Sequence, residues 1–226
     1  MRKFGVMLFC AISMMAAYAG DVANFVNLGF SPDGARFSFG QYGITDGDYR
    51  SYADIFCVDV AKNDFLKDGT FSTLPSASTA GKDSKGIFGS LQNNSSAYLK
   101  KNNIDSALQG RALYVQAEDE PKLKNISFRD FETSKAYAIK VNTLVEGTLE
   151  KVQASFYLTV EMTAADGKVT RKTVGLPGFM RRGVKDYLVR RIITDDSGKS
   201  LVFIIEKTVV EPKGSSSRFM VETLRL

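Results

Sequence analysis

The chain has 226 residues, with 30 Lys and Arg against 25 Asp and Glu and a formal net charge of +5. It contains no histidine, no tryptophan and only two cysteines, Cys10 and Cys57. The missing histidine excludes the commonest general base at neutral pH, the usual zinc ligand and every serine–histidine or cysteine–histidine dyad. So mild a charge excess does not point to nucleic acid.

Two positive charges, Arg2 and Lys3, open the chain, and Phe4 to Ala17 is uncharged and apolar. Ala17-Tyr18-Ala19 then supplies a small-x-small pattern before Gly20. This order of basic, apolar and small residues is the layout of a cleavable secretory signal. The apolar run is shorter than the ~20 residues a helix needs to cross a bilayer. The expectation is a signal peptide over 1–19, cleaved near Ala19, and a single β-rich domain over 20–226 that is secreted or periplasmic and does not span the membrane. The signal carries two of the 30 basic residues and none of the 25 acidic ones, leaving +3 on residues 20–226. Cys10 departs with the signal: Phe9 before it is too large for a lipid-attachment site. Cys57 alone remains, so no intramolecular disulfide forms and stability must come from a hydrophobic core. Within Ile55-Phe56-Cys57-Val58 it reads as a small buried hydrophobe.

Strand patterns dominate the rest. Asp21 to Phe30 leads into the turn Ser31-Pro32-Asp33-Gly34, and Ala35 to Gly40 follows with Phe37 and Phe39 on one face. A polar loop, Ile44 to Ser51, precedes Tyr52 to Val60, whose nearly continuous apolar run predicts a strand covered on both faces. Residues 67–84, rich in Ser, Thr, Gly, Asp and Lys, read as an exposed loop. The spacing of Ile87, Phe88, Leu91, Tyr98 and Leu99 predicts one helix over 84–101, capped by Ser84 and ended by Asn102-Asn103. From Arg111 the period of two returns. Ala112 to Gln116 is a short strand. Tyr137, Ile139, Val141 and Val145 alternate with polar or small residues, as do Phe156, Leu158, Val160 and Met162. Ala165-Asp166-Gly167-Lys168 turns the chain into Val169 to Val174, a hairpin signal. Pro177-Gly178 reads as another turn, and Asp186 to Thr194, Ser200 to Val210 and Arg218 to Leu226 complete about ten strands. With no strand–helix rhythm, the pattern predicts a mainly β chain, an antiparallel sandwich or partial propeller-like architecture with one packed helix.

Two stretches resemble each other. Gly29 to Phe39 (GFSPDGARFSF) is followed by ADIFCVDV, and Ile192 to Phe203 (IITDDSGKSLVF) by SRFMVETL. In each, an Asp side chain can close the turn onto nearby backbone donors, and a Gly takes the positive φ the bend requires. Phe30 to Gly34, with Asp54-Ile55-Phe56 beyond, resembles the WD40-like blade motif of the periplasmic Tol-system propeller. The second copy has Asp195 in place of proline and an extra Ser197. Two copies fall short of the four blades a propeller needs. Over nearly its whole length the chain also resembles a family of predicted secreted bacterial proteins, domain of unknown function 2259. That resemblance rests on NLGFSPDGARFSFGQYG, SYADIFCVDV, the helix ahead of GRALYV, and KSLVFIIEK. It implies export and a β scaffold, and it implies no activity.

No catalytic, cofactor-binding or metal-ligating residue is assigned. Asp46-Gly47-Asp48, with Asp54 beyond, has oxygen ligands but lacks the spacing and closing glutamate of an EF-hand, so it reads as a polar hairpin loop. Glu118-Asp119-Glu120 are adjacent acids in a loop, which rarely converge on one glycosidic bond. Arg181-Arg182 with Lys185 follow the Pro177-Gly178 turn and read as a solvated loop, although anionic lipid, peptidoglycan or an acidic partner would fit them. Lys100-Lys101 and Arg190-Arg191 read as exposed charges, the latter on opposite faces of a strand. Neither phosphate-binding glycine motif occurs. The glycosylation acceptors in Asn93-Asn94-Ser95-Ser96 and Asn125-Ile126-Ser127 matter only in a eukaryotic secretory route. The expectation is therefore an exported, non-catalytic protein of the envelope or the exterior that binds a protein or ligand, with no cofactor. A secreted hydrolase working through carboxylates alone is the alternative.

Overall fold

The computed structural model describes residues 21–226 apart from 118, 119, 149, 150 and 213. The export signal therefore lies outside the described residues, as do Glu118 and Asp119. Among the described residues twelve strands form three four-stranded antiparallel sheets, with one α-helix. The chain is mostly β, as its alternation predicts.

The N-terminal sheet is a meander of β1 (Asn24–Phe30), β2 (Arg36–Ile44), β3 (Ser51–Asp59) and β4 (Asp64–Thr73). The helix α1 (Ser84–Lys101) follows, then β5 (Arg111–Val115). A second meander, the outer sheet, runs through β6 (Asn125–Asp130), β7 (Lys135–Glu146), β8 (Gln153–Thr163) and β9 (Val169–Arg182). The chain returns as β10 (Val184–Thr194), β11 (Ser200–Glu211) and β12 (Gly214–Arg225). With β5 at its far edge these make a central sheet in the order β12-β11-β10-β5.

Alternation along β11 explains the layering. Leu201, Phe203 and Ile205 pack into a cluster with Phe156, Leu158 and Val160 of the outer sheet. Val202 and Ile204 point the other way, into a cluster with Phe30, Phe37, Phe39 and Val58 of the N-terminal sheet. The central sheet is thus apolar on both faces. A third cluster lies beyond the N-terminal sheet, where Ala53 and Ile55 meet Phe88 and Leu91 of α1. Strand β3 is covered on both sides, which is why its apolar run is nearly continuous. Cys57 is fully buried and free, so burial pushes its thiol pKa up.

Several local expectations change. Asp83, not Ser84, caps α1: its carboxylate accepts the N–H groups of Lys85 at 3.2 Å and Gly86 at 2.8 Å. The helix buries Phe88, Leu91 and Ser95, while Tyr98 and Leu99 are half-buried. Residues 67–84 are not one loop, because β4 occupies their first part through pairing to β3. Pro177-Gly178 does not end a strand. The two residues bulge out between Leu176, opposite Phe156, and Arg181, opposite Ala154, and β9 continues beyond them.

The two similar stretches both fold as strand, turn and strand, and they touch. Asp33 takes the Ser31 hydroxyl and the Ala35 N–H, and Asp195 takes the N–H groups of Lys199 and Ser200. Ser200 Oγ donates to the Gly34 carbonyl at 2.7 Å, and Arg225 reaches the Asp33 carbonyl at 2.9 Å. Gly34, at φ +64°, is held against the Asp195 carboxylate with no room for a Cβ. Three stacked sheets joined in this way fall short of a propeller's four blades, and the blade resemblance finds no support.

Candidate functional site

The three sheets share one margin where an outer strand of each comes near the others: β4 of the N-terminal sheet, β12 of the central sheet and β9 of the outer sheet. A cleft of about 620 Å³ opens there. The β3–β4 turn gives it Lys62 and Asn63; β4 gives Asp64 and Phe65; β9 gives Leu176, Phe179 and Arg181; β11 gives Lys207; β12 gives Met220 and Glu222.

The charged residues reach the cleft from core positions. Lys207 is next in phase after Leu201, Phe203 and Ile205, so an amine stands where the strand otherwise places aliphatic or aromatic side chains. Arg181 lies opposite Ala154, a residue of the same cluster. Glu222 lies opposite Phe203, between Met220 and Leu224 in phase.

Their pairing is incomplete. Glu222 is 6% exposed and Arg181 is 19% exposed, with Nη2 of the arginine 3.8 Å from Oε1 of the glutamate. Asn63 donates to the other Glu222 oxygen. Burial raises the Glu222 pKa against the opposing effects of Asn63 and Arg181. Nη1 of Arg181 is buried with no hydrogen-bond partner among the described residues, a costly state for a guanidinium. The guanidinium sits over Phe179, 4.9 Å from the ring centroid. Lys207 has neither an ion pair nor a hydrogen bond among the described residues. Burial first, then the nearby guanidinium groups of Arg181 and Arg218, pull its pKa down to about 8 against the opposing effect of Asp54.

Around these polar groups the rim is apolar and open. Phe65 is 52% exposed, Leu176 61% and Phe179 54%. Two of them come from irregularities: Phe179 stands in the β9 bulge, and Phe65 begins the stretch where the β3–β4 register shifts. Phe65 stacks on Phe56, with centroids 5.4 Å apart.

A second cavity of about 290 Å³ lies between the Thr45–Asp48 loop and Glu211–Ser216. Its main polar groups are already engaged. Asp21 takes Arg218 at 2.6 Å and the Tyr52 hydroxyl at 3.1 Å, Asp48 takes Arg50 at 3.1 Å, and Ser216 donates to Glu211 at 2.9 Å. Satisfied groups offer a ligand little, so the larger cleft is the candidate site.

The residues weighed from sequence mostly fall elsewhere. Asp54 does not join Asp46 and Asp48; it lies in β3, bonded to Gln41 and Ser72. Among the described residues no group of three or more acidic or cysteine side chains is placed to hold a metal ion. Arg182 and Lys185 are exposed, whereas Arg181 turns inward, against the expectation of a solvated loop. Arg190 pairs with Glu206, and Arg191 is exposed. Lys207 and Glu222 were missed, although phase alone marks them: KSLVFIIEK puts the second lysine in register with three core residues.

No curated protein and no solved structure matches the chain. A family model described as "Predicted secreted protein (DUF2259)" matches residues 38–225, which covers β3 to β12, α1 and every residue named in the cleft. No helix among the described residues is long and apolar enough to cross a membrane. The chain belongs to this family of predicted secreted proteins, DUF2259.

Proposed function

We propose that residues 20–226 form one domain that acts after export as a non-catalytic binding protein, and that its ligand enters the cleft at the shared margin of the three sheets. The observation that carries this reading is the pair of cations set at core positions and left without full partners: Lys207, and Nη1 of Arg181. An inward charge costs folding free energy, and a fold that only needed stability would place an aliphatic residue there. Clefts with apolar walls and a few convergent polar groups are the usual form of small-ligand sites. Asp48 and Asp54, weighed as calcium ligands, are held apart by Arg50 and by Gln41.

The test is a thermal-shift screen of the mature protein against a chemically mixed set of small molecules, run in parallel with Phe179→Asp. The reading expects compounds that raise the melting temperature of the wild type and fail to raise that of the variant. Turnover of a glycan, ester or peptide by the purified protein would overturn it.

A further inference from the structure

We infer that the cleft takes a monoanionic carboxylate carried on an apolar body, with the carboxylate between Lys207 and the unpartnered face of Arg181 and the body against Phe65, Leu176, Phe179 and Met220. The inference rests on reading the cleft as a ligand site and goes on to name what fills it.

Charge sets the first condition. Five charged residues line the cleft: Lys62, Arg181 and Lys207 against Asp64 and Glu222. Lys62 and Asp64 are exposed at the turn, where Lys62 is partnered by Asp59 at 3.3 Å; of the inward charges Arg181 shares Glu222, and Lys207 is left without an acid partner. Of the groups just outside the lining, Arg218 is paired with Asp21, while Asp54 is bonded only by the neutral Gln41 and Ser72 and supplies negative charge near Lys207. With Glu222 and Asp54 both close, a dianion such as phosphate would meet too much negative charge, and a cation would meet Lys207 and Arg181 directly.

Donor geometry sets the second condition. Arg181 is ion-paired with Glu222 at 3.8 Å, too long for a hydrogen bond, and its buried Nη1 has no partner among the described residues, so the guanidinium keeps N–H groups to give. An ammonium can satisfy the second oxygen of the same carboxylate. The third condition is apolar. Three of the fourteen exposed large hydrophobic side chains among the described residues stand on the rim of this one cleft, together with half-buried Met220. An apolar body would remove that surface from water while its carboxylate remained paired. The shared chemistry covers a short fatty acid and the C-terminus of a peptide ending in an apolar residue.

The test is isothermal titration of the mature protein with octanoate, N-acetylleucine, 1-octanol, acetate and inorganic phosphate. Each is run at pH 6 and pH 8 in buffers of different ionisation enthalpy. The inference predicts that octanoate or N-acetylleucine binds at least about tenfold tighter than octanol, acetate or phosphate, in line with the strength of a charge-assisted bond. The tighter of the two identifies the source. At pH 8 binding should take up about half a proton, because a carboxylate beside Lys207 restores an ammonium that is half deprotonated when free; at pH 6 it should take up none. Lys207→Met should remove both the preference and the uptake while leaving octanol binding unchanged. Phe179→Ser should weaken octanoate and octanol alike. Octanol or phosphate binding as well as octanoate would overturn the inference and leave the cleft a ligand site. Failure of every probe would overturn the inference, and only if the mixed set also failed to raise the wild-type melting temperature would the reading of the cleft as a ligand site fall with it.

Discussion

Lys207 occupies the fourth in-phase position of a strand whose other three are Leu201, Phe203 and Ile205. In the folded protein its proton is given up at about 8, whereas a lysine in an unfolded chain holds it to about 10.4. Between those values the unfolded chain binds more protons, so this residue makes stability rise with pH across that window. Lys207→Met should therefore raise the stability of the free protein at pH 7 by about 1–3 kcal/mol and flatten that rise, measured by urea unfolding at pH 7 and pH 10. Asp130 also makes stability rise with pH, but in an acid window and because its charged form is the favoured one. Burial pushes its pKa up, but the bidentate Arg111 at 2.8 and 3.1 Å, the Thr133 hydroxyl and the Glu132 N–H outweigh it and hold the carboxyl down to about 2. Its contribution is present above the ordinary value of 3.8 and is lost as pH falls through about 2. Asp130→Asn should remove that acid-side slope in an unfolding series from pH 5 to pH 2, leaving the alkaline side unchanged.

At the scale of elements, docking of α1 depends on Gly40. A Cβ there would collide with the Phe88 ring and would stand only 3.0 Å from the Asp54 carbonyl oxygen. Gly40→Ala should cost about 1–3 kcal/mol by overpacking, seen as a lowered urea midpoint with an unchanged slope. The helix itself was legible in the sequence at both ends to within a residue. Only its cap moved, because an aspartate one position earlier reaches two N–H groups that a serine at 84 does not. Strands β7 and β8, and the hairpin at Ala165–Lys168, were legible because one face of each is buried. Strand β4 was not. As an edge strand with one buried residue, Gly69, it is held by pairing to β3 rather than by an apolar face. The cleft was hidden for a related reason. Reading Pro177-Gly178 as the end of a strand left Arg181 in solvent, but the strand resumes after its bulge and sets that side chain against the core.

At the scale of the whole molecule, the sheets are stacked so that the central one is apolar on both faces and the helix closes the far side of the first. The two similar turns join the N-terminal and central sheets through Ser200, Arg225 and Gly34. At the margin lined by β4, β9 and β12 the side chains change from apolar to charged without leaving the core-facing phase, and there the cleft opens. The account turns on the state of one amine inside it. Titration of Lys207 Nζ and Cε by NMR in the mature protein, assigned through Lys207→Met, reads that state directly. The account predicts a midpoint near 8 in the free protein and an upward displacement when octanoate is added. A midpoint at the ordinary lysine value of about 10.4, unmoved by octanoate, would contradict it.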